Sequence, residues 1–497
     1  MHHILLLLPT LLAAPAPQDF NGDGYDDLAI GTPGETVSGL SGAGSVVVLY
    51  SNGDWLSTAG SFAYHQNVPG IEGGAATNEN FGRALAHGDF DGDGFDDLAI
   101  GVPGTTVDGL ANAGVVQVLY GSPGGLTGLD DALYFLNAPG VAGNSQAGDF
   151  YGSVLASGDF NADGRDDLAV GMPDSDVNGK TNAGQVHILY GSPNGLRTTD
   201  DVLWNQAAAG AGQLVEAYDE FGFALASGQF NADPYDDLAI GVPGEDIGNI
   251  NAAGTVHVVY GSASGLSSAS AEIWHQDIGG ISGIAEAGDG FGRAVAVGDF
   301  DDDFIDDLAI SVPLEDFNGL TNAGGMQVIY GMAGGLDAAG NEFLYQGSGL
   351  PGSAATGDYT GYWSSSMIAG DFNGDGYGDV VIGSPLETIS GKNSAGKAMV
   401  AYGAPGGLGG SGLTLQQGLP FTASAAESGD YFGWSLGIGD YNGDGLDDVV
   451  VGTMFEDVAG YTNNGSVEVF YGPPATGGYQ LWYQYGSYDN FGMGLGR

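Results

Sequence analysis

Carboxylates recur along this chain at a spacing that suits a hard cation. Residues 19–31 read Asp-Phe-Asn-Gly-Asp-Gly-Tyr-Asp-Asp-Leu-Ala-Ile-Gly, with oxygen-bearing side chains at positions 1, 3, 5 and 9 and a backbone carbonyl at position 7. When such a segment doubles back, these oxygens converge on one point. Several carboxylates among hard oxygen donors select Ca²⁺. The pattern returns with starts at Asp89, Asp159, Gln229, Asp299, Asp371 and Asp440, at offsets of 70, 70, 70, 70, 72 and 69 residues.

The candidate ligands follow by position. Loop one offers Asp19, Asn21, Asp23, the Tyr25 carbonyl and Asp27, and loop two Asp89, Asp91, Asp93, the Phe95 carbonyl and Asp97. Loop three offers Asp159, Asn161, Asp163, the Arg165 carbonyl and Asp167, and loop four Asn231, Asp233 and Asp237. Loop five offers Asp299, Asp301, Asp303 and Asp307. Loop six has Asp371, Asn373, Asp375, the Tyr377 carbonyl and Asp379; loop seven has Asp440, Asn442, Asp444, the Leu446 carbonyl and Asp448. Up to seven Ca²⁺ ions are expected.

Loop four is expected to be the weakest. It has Gln229 at position 1 and Pro234 where glycine supplies the left-handed turn elsewhere, and proline cannot reach positive φ. Loop five carries Phe304 at that place, a residue strained there. An EF-hand would need Glu at position 12 between helices. Position 12 is instead Ile30, Ile100, Val170, Ile240, Ile310, Ile382 or Val451, which are strand formers, so a calcium loop in a β-hairpin is expected.

Catalytic constellations are thin. His187 and His257 occupy equivalent repeat positions, as do His65 and His275, which marks them as structural. Gly433-Trp-Ser435-Leu-Gly437 matches a nucleophile elbow. No histidine follows it, however, and other copies carry Ala84, Ala224 or Ala294 at the serine's place. No enzyme activity is expected.

The elements that position the loops recur with them. An aromatic-Gly strand precedes each loop, as in Phe81-Gly82 and Phe291-Gly292; copy six is read with Trp363-Ser364 there. A short apolar run such as Leu98-Ala-Ile100 follows the loop, then a Pro-Gly-acidic segment ending in Asn-Ala-Gly. Next comes a period-two strand such as Val115 to Tyr120, then a fourth strand with aromatics before glutamine, as in Trp204-Asn205-Gln206 and Trp274-His275-Gln276. Each segment is short, β-rich and bounded by turn residues.

Seven copies of four antiparallel strands bury their faces only by radial packing, so an all-β, seven-bladed propeller over residues 17–497 is expected. The first copy lacks its aromatic-Gly strand, and a spare one stands at Phe491-Gly-Met-Gly-Leu-Gly496. The segment from about Asn490 to Arg497 is therefore expected to complete blade one. Alternation places the acidic hairpins at one end of the propeller. The Pro-Gly-acidic loops lie at the other, with Glu35, Asp108, Asp174, Asp176, Glu245, Asp246, Glu315, Asp316, Glu387, Glu456 and Asp457 expected on a solvated rim.

Composition narrows the setting. Lys+Arg 8 against Asp+Glu 62 gives a formal charge of −54, which repels nucleic acid and anionic lipid. Glycine, 94 of 497 residues, fits a chain rich in turns, and the absence of cysteine excludes disulfides and thiol chemistry. Residues 1–16 read as a signal peptide, too short to span a bilayer, so a secreted or cell-surface protein with no membrane span is expected.

The Phe-Gly element, the Gly-x-Pro element of Gly101-Val-Pro103 and Gly241-Val-Pro243, and the acidic loop together resemble FG-GAP repeats. Those repeats form the propeller of integrin α-subunit heads and of many bacterial secreted proteins. The resemblance implies calcium in these hairpins and an adhesive or protein-recognition role for a monomer. A lectin-like, glycan-binding propeller, or a non-catalytic scaffold of a carbohydrate-active enzyme, is the alternative, suggested by Trp55, Trp204 and Trp274.

Overall fold

Each repeat folds into one antiparallel sheet because its short runs of β-branched and aromatic residues are separated by turns that reverse the chain. The computed structural model describes residues 18–497 apart from 211–212, 410–411, 420–421, 423, 459, 474–477, 484–490 and 496–497. The expected signal peptide lies outside the described residues, as do Asn490, Gly496 and Arg497 of the expected closing segment.

Blade two shows the plan. Its strands Leu85–Gly88, Asp97–Val102, Val115–Tyr120 and Thr127–Tyr134 pair in that order. The registers are Leu85↔Ile100, Ile100↔Gln117 and Val116↔Tyr134. The first strands of successive blades lie against one another around the axis, and the fourth strands form the outer rim. Seven such sheets are present; blade five adds a short parallel strand, Gly349–Leu350.

The second strand is buried along its whole length, as in Asp97–Val102, because neighbouring blades cover both faces of every sheet. The same covering overrides the period-two reading of the third strand, where even Gln117 is buried. The core accordingly sits between blades. Phe90, Val116 and Val118 of blade two pack with Leu155, Val170 and Met172 of blade three.

The ring closes as expected. Gly494–Leu495 pairs antiparallel with Leu28–Thr32 of blade one, in the register Ile30↔Leu495 and Gly31↔Gly494. Phe491 and Leu495 are buried there at 3% and 4% exposure.

Two expectations are corrected. In blade six the aromatic-Gly place is held by Thr360-Gly361, not Trp363-Ser364. Thr360 makes the bridge to Gly324 that Phe81 makes to Gly44, and the Gly361 amide donates to the Gly383 carbonyl as that of Gly82 does to Gly101. Trp363 falls in the extra length of this 72-residue repeat. Trp204 and Trp274 are buried rather than surface residues, since the end of the fourth strand tucks under the following connection; Trp55 alone of the three is exposed.

Candidate metal centres

Every acidic loop is a hairpin between the first and second strands of its blade, held by its own carboxylates. In loop two, Asp89 Oδ1 accepts hydrogen bonds from the amides of Gly92 (2.8 Å) and Asp93 (3.0 Å), and Oδ2 accepts from Gly94 (3.0 Å). Asp93 accepts from the amide of Phe95 at 3.1 Å. Asp97, at the start of the second strand, accepts from Phe90 (3.0 Å) and from Gly121 (2.9 Å) in the turn after the third strand. That last bond places hairpin and turn at the same end of the propeller.

The position-9 carboxylates are buried in every blade: Asp27, Asp97, Asp167, Asp237, Asp307, Asp379 and Asp448 are at most 1% exposed. Burial pushes each well above the usual carboxylate range, to about 8 for Asp27, Asp97, Asp167, Asp237, Asp307 and Asp448 and about 7 for Asp379. Among the described residues none of them forms an ion pair with a basic side chain.

In loops two and five, carboxylate oxygens of positions 1, 3 and 9 converge within 4.8 Å: Asp89, Asp91 and Asp97, and Asp299, Asp301 and Asp307. Asp93 and Asp303 stand outside these triads. The Oδ1 atom of Asp301 is buried and has no hydrogen-bond partner. Clustered oxygens, a buried carboxylate without a counter-charge and an unpartnered oxygen fit a hard divalent cation. In loops one, three, six and seven, Asn at position 3 donates from its amide towards the position-9 carboxylate, as Asn161 does to Asp167 at 3.1 and 3.3 Å.

Loops four and five diverge as their sequences suggest, for different reasons. Phe304 adopts φ 70° and still donates its amide to Asp299 Oδ2 at 2.8 Å, so loop five keeps its hydrogen bonds despite the strain. Pro234 has no amide hydrogen to donate, and the Gln229 side chain accepts none of the loop amides among the described residues. Loop three has its own complication: Arg165 Nη1 lies 3.2 Å from Asp163 Oδ1, a cation already set against a candidate ligand.

Three features escaped sequence reasoning. Position 4 is also left-handed, as at Gly22 (φ 71°) and Ala162 (φ 53°). Position-7 side chains pack onto the preceding hairpin: a side chain at Gly22 would collide with Phe95, and one at Gly443 with Tyr25. Position-8 aspartates tie consecutive loops together. Asp166 accepts from the Asp89 amide (2.9 Å), Asp236 from Asp159 (2.9 Å), Asp306 from Gln229 (2.8 Å) and Asp447 from Asp371 (2.8 Å). Asp26 accepts from Asp440 at 2.7 Å, carrying the belt across the closure. The doubled Asp-Asp of the repeat was the available signal.

The opposite end corrects the expectation of a solvated acidic rim in part: Asp108, Asp176, Asp316 and Asp457 are exposed, whereas the glutamates are drawn inward. Glu245, Glu315 and Glu456 are buried, and each accepts from the glutamine that ends the preceding blade. Gln206 reaches Glu245 at 2.6 Å and Gln276 reaches Glu315 at 2.7 Å; Gln417 reaches Glu456 likewise. Gln346 binds Glu387 at 2.9 Å, beside Lys397 at 2.7 Å from the same carboxylate. Asp176, Asp246, Asp316 and Asp457 accept amides of the Asn-Ala-Gly turns and their equivalents. These acids hold loops and blades in place.

Two of the catalytic candidates, His187 and Ser435, are tied into the structure. His187 lies between Tyr151 Oη (3.0 Å) and Asp201 Oδ2 (2.7 Å), and Ser435 is buried and donates to the Gly492 carbonyl.

Comparison with known proteins identifies the repeat family. Phosphatidylinositol-glycan-specific phospholipase D of Dictyostelium discoideum is 31% identical over 42% of this chain and 22% of its own length. Integrin alpha-PS2 of Drosophila melanogaster is 35% identical over 46% of this chain and 15% of its own. The chain thus spans less than a quarter of the length of these relatives. Among solved structures, rhamnogalacturonan lyase PL11 of Bacillus licheniformis aligns with 88% of this chain and 65% of its own, at 12% identity and a TM-score of 0.35. The FG-GAP repeat model matches residues 13–49, 81–119, 151–189, 221–259, 291–328, 362–399 and 432–470, more than half of the chain and one segment per copy. On blades, hairpins and matched segments together, this chain belongs to the FG-GAP repeat family and is an integrin-α-like propeller.

Proposed function

We propose that this chain is a secreted, calcium-stabilised recognition propeller that serves adhesion or protein binding outside the cell and performs no catalysis. The observation that carries the metal reading is the pair of carboxylate triads, with the unpartnered Asp301 oxygen in one of them. Asp299, Asp301 and Asp307, and their counterparts in the other loops, would hold the ion; loop four would hold it most weakly. When bound, calcium supplies the counter-charge that the buried position-9 carboxylates lack. The hairpins then brace one another through the position-8 aspartates, and the ring presents its opposite end as a rigid surface.

The adhesive role is supported by the integrin relatives. The absence of a catalytic role is supported by the structural ties of His187 and Ser435. A formal charge of −54 argues against nucleic acid as a partner.

Extracellular calcium modules have dissociation constants of roughly 10⁻⁴ to 10⁻³ M, and about tenfold excess adds roughly 1.4 kcal/mol per site. Several sites should therefore shift the melting temperature by roughly 5–10 °C for a chain of this size. Thermal melting with calcium and with chelator, at fixed ionic strength, together with calcium titration calorimetry, tests this. A Tm that chelator leaves unchanged overturns the metal reading.

A further inference from the structure

Seven copies of one unit give the molecule an internal reference, and three repeat positions depart from it together in one sector. The residue before the aromatic-Gly pair is Asn80, Phe150, Glu220 and Gly290 in blades two to five, but Tyr359 and Tyr431 in blades six and seven. The residue after the loop proline is Gly34, Gly104, Asp174 and Gly244 in blades one to four, but Leu314 and Leu386 in blades five and six; Phe455 holds that place in blade seven. The residue after the pair is Trp434 in blade seven, and the added length of blade six supplies Trp363. All of these line one open recess of about 550 Å³ at the end of the propeller opposite the hairpins.

Blades one, two and four build the same sheets with neither an aromatic nor a leucine at the first two of these places, so folding does not demand them. Trp363 and Trp434 lie 4.0 Å apart at 38°, and Tyr431 stands edge-on to Trp434 (5.9 Å) and Phe455 (5.5 Å).

Beside this aromatic floor sits a cation with its donors unspent. Arg293 lies over Phe223 (5.0 Å) and over Tyr362 of the recess wall (4.4 Å). Among the described residues it donates no hydrogen bond and forms no ion pair. A guanidinium carries several N–H donors and no acceptor, so from its place against the wall residue Tyr362 it can offer a fork to ligand oxygens.

These features select a ligand by elimination. Arg293 already takes the cation's place against Tyr362 and repels a second cation, while a formal charge of −54 opposes an anion. The volume falls within the range of about 300–1,000 Å³ typical of small-ligand sites. A protein patch of ordinary size, about 800 Å² per partner, would also have to cover the acidic loops around it. A neutral ring with an apolar face and a periphery of oxygens satisfies both aromatic floor and guanidinium.

We infer that the recess binds a neutral saccharide, its ring set against the outward side of the Trp363–Trp434 pair and its hydroxyl oxygens accepting from Arg293. This rests on the recognition reading above and gives it a site and a ligand class.

The test titrates the calcium-loaded protein with neutral hexose and pentose oligosaccharides and with their uronic-acid and amino-sugar counterparts, by tryptophan fluorescence and calorimetry. Trp434→Ala and Trp363→Ala should each weaken binding of a neutral sugar about tenfold or more. Arg293→Lys, which keeps the charge and loses the fork, should weaken it as well. Trp55→Ala, in the turn before the outer strand of blade one, should leave it unchanged. Trp363 lies in added length that the other blades lack, so its variant should keep the wild-type Tm even if Trp434→Ala does not fold. Failure to bind any neutral saccharide, binding that survives both tryptophan variants, or preference for charged sugars overturns the inference. A protein ligand lost in Trp363→Ala, which no saccharide displaces, also overturns it and leaves the recognition reading standing. A chelator-insensitive Tm strikes the metal reading and leaves this one.

Discussion

At the hairpin end of the propeller every blade does nearly the same thing. A position-9 aspartate is buried in all seven, and position-8 aspartates bind the amide of the preceding hairpin five times, once across the ring closure. At the other end the blades begin alike and then part. Gln–Glu ties join blades three to seven, while glycine, leucine and phenylalanine exchange places after the loop proline. The contrast separates two kinds of constraint. Where a residue type is fixed by what its own hairpin must do, seven copies agree. Where a surface must fit something outside the ring, a few blades diverge in concert and the rest stay with the common pattern.

The severest way to break that contrast is to remove what both ends share. Truncation after Asn490 deletes the inner strand of blade one, including buried Phe491 and Leu495 and the bond from the Gly492 amide to Gly31. At roughly 1.5–3 kcal/mol for each buried side chain, about 3–6 kcal/mol should be lost. Melting and light scattering check this; an unaltered Tm in a monomeric truncation would mean that blade one stands without its partner strand.

A smaller effect sharpens the description of the connection end. Burial, with Asp430, Glu468 and Glu427 nearby, raises the Glu456 carboxyl to about 8, while Gln417 pulls it the other way. The folded pKa lies above the unfolded one. This group's contribution is therefore fully present below about 4.5 and is lost as pH rises through about 8. Glu456→Gln stays neutral throughout and keeps an amide partner for Gln417. At pH 8 and saturating calcium it should be more stable than the parent by roughly 1–2 kcal/mol, with the difference gone near pH 4.5. Equal melting curves across that range would show that Glu456 is not held protonated.

The smallest effect lies at the hairpin end, where loop four is the exception. Gln229→Asp with Pro234→Gly restores the position-1 carboxylate and the position-6 amide. Calorimetry should find one added or tightened calcium site, worth about 1.4 kcal/mol at tenfold excess over its dissociation constant. Unchanged stoichiometry and affinity would mean that these two residues do not limit the loop.

Much of this was legible because the chain repeats itself. The blade count, the acidic hairpins and the closing strand at Phe491 all follow from register between copies. What was misread depends on how neighbouring blades stack. Glu245 looks like any loop acid until Gln206, 39 residues earlier, is brought against it by the ring. Trp204 and Trp274 look like surface residues because nothing local shows the connection that covers them. Blade six misled for a different reason: Thr360 is not aromatic, so the eye moves on to Trp363, although the 72-residue spacing already announced extra length. The recess needed both corrections, since its tryptophans are visible as a cluster only once that spacing is resolved.

The seam between Ile30 and Leu495 also governs how the chain comes to be folded as it is made. Blades two to seven draw their four strands from consecutive sequence, so each can collapse soon after it leaves the ribosome. Blade one cannot. Its strand Leu28–Thr32 emerges early, and at about 5–20 residues per second its inner partner follows on the order of a minute later. Throughout that interval the edge of a strand that is wholly buried in the finished ring waits unpaired, the arrangement that invites pairing with another chain. Ring closure, a single contact of very large sequence separation, is then the last step of assembly. Chains crowded together on one messenger are at greatest risk of exchanging that strand.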